Sequence, residues 1–130
     1  MISSVTFHPF ISHFPTALFV AGICLLVLAN KRENPGLTAA ASFNFSAGFL
    51  MSVLATITGL VSSDLNLRTT VEIQGHQGFS LAFVFFYGFS AAYSYIRAFS
   101  NTAIIYYCLT FLAMCASVYS GYLLVFDGAG

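Results

Sequence analysis

Residues 9–36 read PFISHFPTALFVAGICLLVLANKRENPG, an apolar run from Pro9 to Ala29 followed by Asn30, Lys31, Arg32, Glu33, Asn34, Pro35 and Gly36. About 20 mostly apolar residues cross a hydrocarbon core of about 30 Å as an α-helix, and the charges, proline and glycine that follow oppose its continuation. The pattern recurs three times. A second run covers about 37–61 and gives way to Asp64, Arg68 and Glu72; a third covers about 73–97 and meets a short Ala98-Phe99-Ser100-Asn101 connection; a fourth covers about 102–126, before Asp127. Lipid offers no partner to an unpaired backbone group, and these segments have helix length rather than the 9–11 residues of barrel strands, so the fold is expected to be all-α. Short connections make sequential helices antiparallel. The expected architecture is an integral membrane up-down-up-down four-helix bundle forming a single domain over residues 1–130.

Composition agrees. Charged residues make up 6% of the 130, four Lys+Arg balance four Asp+Glu, and mean hydropathy is +0.88, whereas a soluble domain is about 25% charged. Without a basic stripe there is nothing to neutralise phosphates, which excludes nucleic-acid binding. Ala47, Gly48, Ser52, Ala55 and Gly59 in the second run, and Ala113, Ala116, Ser117 and Gly121 in the fourth, are small enough for close helix approach. No basic segment precedes the first run and no small-residue cleavage pattern follows it, so an uncleaved membrane helix is expected. Lys31, Arg32 and Arg97 lie on one side against Arg68 on the other. The positive-inside rule then puts both termini outside a bacterial inner membrane.

Ionisable side chains inside spans are costly and mark function by default. The chain has three histidines, His8, His13 and His76, all at the end that carries the termini. Counting back from Lys31 to His13 and from Arg97 to His76 gives about 27 Å and about 32 Å of helix, so His13 and His76 are expected at matching depth on two helices. Neutral imidazoles facing each other in a bundle can hold a haem iron axially. Gly75 and Gly78 flank His76, and Phe79, Phe83 and Phe86 follow at helical spacing as pocket walls; Arg68 is placed to pair with haem propionates. A second ligand set is a transition metal on His8, His13 and His76 with Asp64, Glu72 or Asp127. The plainer alternative is that the histidines make interfacial or interhelical hydrogen bonds, that the 15 Phe and 7 Tyr are packing and lipid-facing residues, and that Arg68 is a solvated loop charge. Pro15 removes a donor and crowds the Ile11 carbonyl, which predicts a kinked first turn that aims His13 into the bundle.

Cys24, Cys108 and Cys115 all fall within spans, with no C-x-x-C, and are expected to act as small hydrophobes. No phosphate loop, G-x-S-x-G or H-E-x-x-H occurs. The largest loop, about 11 residues, is too short for a water-filled catalytic site, so any catalysis needs a partner.

His8-Pro9-Phe10-Ile11-Ser12-His13-Phe14-Pro15, followed by Ala17-Leu18, resembles the opening of a family of small bacterial four-helix membrane domains of unknown function. The likeness runs through Gly59 and Asp64, His76, and Gly121-Tyr122-Leu123-Leu124-Val125. Family members often carry another histidine where Asp127 stands here, so no ligand role transfers to that position. Some are fused to Rieske or cytochrome c domains, which implies membrane redox chemistry. The expectation is therefore a haem b-binding subunit, with His13 and His76 as ligands, His8 and Arg68 nearby, and other membrane or periplasmic redox subunits of a respiratory or photosynthetic-type complex as partners. The alternatives are a cofactor-free structural or assembly subunit and a histidine-based metal or pigment site.

Overall fold

The computed structural model describes the backbone of residues 4–66 and 71–126 and the side chains of residues 13–61 and 75–122. The described residues form α1 (Ser4–Arg32), α2 (Pro35–Asn66), α3 (Val71–Arg97) and α4 (Asn101–Phe126). Each is long and apolar enough to cross a membrane, over His13–Arg32, Pro35–Val61, Gly75–Arg97 and Asn101–Tyr122. The protein is an all-α membrane bundle.

The helices run further than the apolar segments. Lys31 and Arg32 stay helical, forming a basic last turn that complements the carbonyl end of α1. The helix stops where Glu33 takes φ 48°, and the Asn34 N–H reaches back to the Ala29 carbonyl at 3.1 Å, the pattern that closes a helix through a left-handed residue. Asn34 then starts α2: its Oδ1 accepts the Gly36 N–H at 2.9 Å, with Pro35 in the first helical position, where its missing N–H is harmless. The expected seven-residue loop thus shrinks to Glu33 and Asn34. Ser100 caps α4 in the same way, accepting the Ala103 N–H at 3.2 Å. α1 passes through both Pro9 and Pro15 as one continuous helix.

The interior is built from aromatic rings and small residues. Phe19 of α1, Phe45 of α2, Phe83 and Tyr87 of α3 and Tyr107 of α4 are all buried. Their ring centroids lie 5.1–5.6 Å apart in the pairs Phe83–Tyr87, Phe19–Tyr87, Phe45–Tyr107 and Phe19–Phe45, within the range where aromatic pairs attract. Gly48, Ser52 and Ala55 of α2 and Ala113 and Ser117 of α4 are buried beside them, whereas Phe43, Leu50, Phe85, Ile96, Ile105, Leu112 and Tyr119 point outward. Such outward side chains suit contact with lipid. α1 packs on α2, α2 on α3 and α3 on α4.

Tyr87 locks three helices at once. Its hydroxyl donates to the Pro15 carbonyl at 3.0 Å, and a Cβ on Gly48 would collide with the same oxygen. Gly48→Ala is expected to lower stability in detergent by about 1–3 kcal/mol and Tyr87→Phe by about 0.6–1.7 kcal/mol. The double variant should lose less than the sum, because the atom that meets the new methyl is gone. Reversible unfolding of the four chains measures this, and losses that add to within about 0.5 kcal/mol would sink the shared-contact account.

Candidate functional site

Every turn of α3 sets the same face inward: Phe83, Tyr87, Ser90 and Ser94 are buried at spacings of four, three and four. Stepping back three and then four residues leads to Ser80 and His76, both half-buried. His76 is therefore the first described residue of the inward stripe of α3, on the N-terminal side of the aromatic cluster.

Its ring leans on α4. His76 Nδ1 lies 2.9 Å from Ser120 Oγ, and Ser120 Oγ lies 3.0 Å from the Ser117 carbonyl. A carbonyl only accepts, so the single hydroxyl proton of Ser120 goes to Ser117. Ser120 Oγ then accepts from His76, which puts the proton on Nδ1 and, in the neutral ring, the lone pair on Nε2. Gly121 makes room for this: a Cβ there would stand 3.0 Å from His76 Cε1 and 3.6 Å from Nε2. Two further hydroxyl pairs continue along the same seam. Ser80 Oγ is 2.9 Å from Ser117 Oγ. Ser90 Oγ is 2.8 Å from Thr110 Oγ1, and because Thr110 donates to the Tyr106 carbonyl at 2.7 Å, Ser90 is the donor.

His13 is placed differently from its expected role. The inward stripe of α1 is Pro15, Phe19, Gly22, Leu26 and Ala29, all buried, and His13 lies about 160° around the helix from Pro15. His13 is exposed. No break at Pro15 turns it inward, because α1 stays helical there and its packing face is already set by that stripe. The side chains of His8, Asp64 and Glu72, together with Arg68 and Asp127, lie outside the described residues. Among the described residues no group of three or more His, Cys, Asp and Glu side chains gathers to hold a metal.

The expected pocket walls divide. Phe83 belongs to the aromatic cluster, Phe86 packs at its edge, and Phe79 is 46% exposed. Gly75 and Gly78 have nothing within 4 Å of a built Cβ; the glycine that admits the imidazole is Gly121, across the seam. Ser120 carried no signal beyond its place beside Gly121. Cys24, Cys108 and Cys115 are free, lie within the spans and are exposed on the outer faces of their helices. Between α1 and α4 a cleft of about 370 Å³ remains, lined by Thr16, Met114, Cys115, Val118, Tyr119 and Tyr122.

A family model described as a predicted membrane protein (DUF2231) matches residues 4–129. No curated protein and no solved structure matches the chain.

The hydrogen-bond accounting at His76 is open to direct measurement. In ¹⁵N spectra of the labelled protein above the imidazole pKa, His76 is expected as the Nδ1–H tautomer, and Ser120→Ala should shift it toward Nε2–H while lowering stability by about 0.6–1 kcal/mol. An Nε2–H ring in the parent chain would refute the assignment.

Proposed function

The chain belongs to the DUF2231 family of membrane proteins, and on that footing we propose that it is a haem b-binding subunit that passes electrons within a larger redox complex. One observation carries the reading: His76 is held inside a membrane span with its Nδ1 2.9 Å from Ser120 Oγ on the neighbouring helix. This is how proteins orient an imidazole that ligates iron, the outer hydrogen bond setting both tautomer and ring plane.

The surroundings fit the group. Gly121 leaves the space that a Cβ would fill beside the ring, and the α1/α4 cleft is lined almost wholly by apolar and aromatic groups. When bound, haem b supplies a one-electron couple whose potential depends on its axial ligands and the polarity around it. What the chain would contribute is the ligand nitrogen of His76, its orientation by Ser120, and an apolar surround that excludes water. Three histidines support one bis-histidine site, and one site near one end cannot alone move an electron across about 30 Å of hydrocarbon. A second redox centre is therefore required, on a membrane or periplasmic partner. In this reading the chain sits in a bacterial inner membrane with both termini and the histidines on the outer side, following the excess of Lys31, Arg32 and Arg97 over Arg68.

A second reading rests on the same seam. Ser80–Ser117 and Ser90–Thr110 bind α3 to α4 by hydroxyl pairs, and His76–Ser120 is then a third such contact in a cofactor-free assembly subunit. The two readings differ in colour. The purified protein, reduced with dithionite, should show a b-type α band with about one iron per chain, and His76→Ala should abolish it. A colourless, iron-free wild-type protein, or a band that survives His76→Ala, overturns the haem reading; the colourless result supports the assembly subunit.

A further inference from the structure

The membrane face that carries Lys31, Arg32 and Arg97 holds a second cleft. It measures about 470 Å³ and lies over the first two turns of α2, between the C-terminal ends of α1 and α3, where Asn30, Glu33, Thr38, Ser42, Tyr95 and Phe99 are among the residues that line it. Ligand clefts occupy about 300–1,000 Å³. Ser42 stands seven residues after Pro35, the first residue of α2, so the polar lining descends about 10 Å along that helix.

The lining is prepared for a ligand. Glu33 takes φ 48°, a conformation that glycine or asparagine adopts at a helix end with less strain, and strain of this kind collects where a side chain is used. Lys31, Arg32, Glu33 and Arg97 form no ion pair among the described residues. Ser42 is 2% exposed and its hydroxyl makes no hydrogen bond among the described residues. No side-chain oxygen that is sealed from solvent lacks a partner there, so the Ser42 hydroxyl opens onto the cleft. The Tyr95 hydroxyl accepts from Ser46 at 3.1 Å, which leaves the phenol proton for another acceptor.

The sign of the ligand follows from the charges. The start of α2 has no donor to spare for an anion, because Pro35 has no N–H, Gly36 donates to Asn34 Oδ1, and Leu37 and Thr38 donate to the Asn34 carbonyl. Glu33 is the one charged residue of the lining, and Tyr95 and Phe99 add ring surfaces that attract a cation. Lys31 and Arg32, next to Glu33 in sequence and exposed, place positive charge beside this negative one. A negative cleft with cations at its side complements a zwitterion.

We propose that this cleft binds the headgroup of an amine-bearing zwitterionic phospholipid. The three N–H donors of a primary ammonium go to the Glu33 carboxylate and to the side-chain oxygens of Asn30 and Thr38; the phosphate faces Lys31 and Arg32. Ester carbonyls below the headgroup accept from Ser42 and Tyr95. A trimethylated amine has no N–H to give, and a glycerol headgroup leaves Glu33 unpaired next to a phosphate, so both bind less tightly. The proposal is independent of the haem reading, since His76 lies near the opposite end of α3.

The test is native mass spectrometry of the full chain in detergent with phosphatidylethanolamine, phosphatidylcholine and phosphatidylglycerol of identical acyl chains. One ethanolamine lipid per chain is expected, held about tenfold more tightly than the glycerol lipid, as one charge-assisted contact provides. Glu33→Gln should erase that preference. Glu33→Gly should erase it too while melting no lower than wild type, because glycine takes a positive φ without strain, which separates lost binding from lost folding. Equal binding of the ethanolamine and glycerol lipids, or a preference that survives both substitutions, overturns the proposal. Choline lipid held as tightly as ethanolamine lipid overturns the hydrogen-bonded ammonium. Soluble glycerophosphoethanolamine should fail to displace the lipid; displacement at equal concentration would identify the free headgroup as the ligand and overturn the lipid assignment.

Discussion

A tyrosine hydroxyl donating to a proline carbonyl holds the packing of this bundle in place. Pro15 has no N–H, so the Ile11 carbonyl loses its helical donor, and no water is present in hydrocarbon to compensate. Tyr87 approaches that weakened stretch from α3 and donates to the Pro15 carbonyl, while its ring packs against Phe19, Phe45 and Phe83. The approach is possible only because α2 offers Gly48 at the crossing. One side chain thereby fixes the register of α1 against α3 and the distance of α2 from both, and the depth of every other inward residue follows from that register.

That register also divides the interior in two. Around Tyr87 the space is filled by rings from all four helices, so nothing else fits there. Toward the N-terminus of α3 the seam becomes polar, with the Ser80–Ser117 hydroxyl pair and then His76 against Ser120 and Gly121. Buried polar groups in lipid need partners, and here the Ser120 and Thr110 hydroxyls each have a backbone carbonyl as acceptor, which orients their bonds to His76 and Ser90. The α1/α4 seam is left open along this half, so the imidazole and the cleft belong to the same end of the molecule.

How much of this was legible along the chain depended on the kind of signal. The four spans were, because eight charges stand only at their ends, although Lys31 and Arg32 proved to be the last turn of α1 rather than a loop. The small residues Gly48, Ser52, Ala55, Ala113 and Ser117 were rightly read as interior. The faces were not. Gly75 and Gly78, close to His76 in sequence, approach nothing among the described residues, while Ser120 and Gly121, 44 and 45 positions away, lie against its ring. His13, expected to point into the bundle, is exposed.

The physical reason lies in the solvent. Burying a charge in hydrocarbon is so unfavourable that its position along the chain marks a membrane boundary without reference to any other residue, so sequence alone determined membrane residence, four helices and their antiparallel order. In water a helix also shows its inward face by an apolar stripe, but in lipid both faces are apolar and that stripe fades. Which residues meet across a seam then depends on phase and register between helices. Only the tertiary structure decided those, through Tyr87, Pro15 and Gly48, and with them the contact of His76 with Ser120.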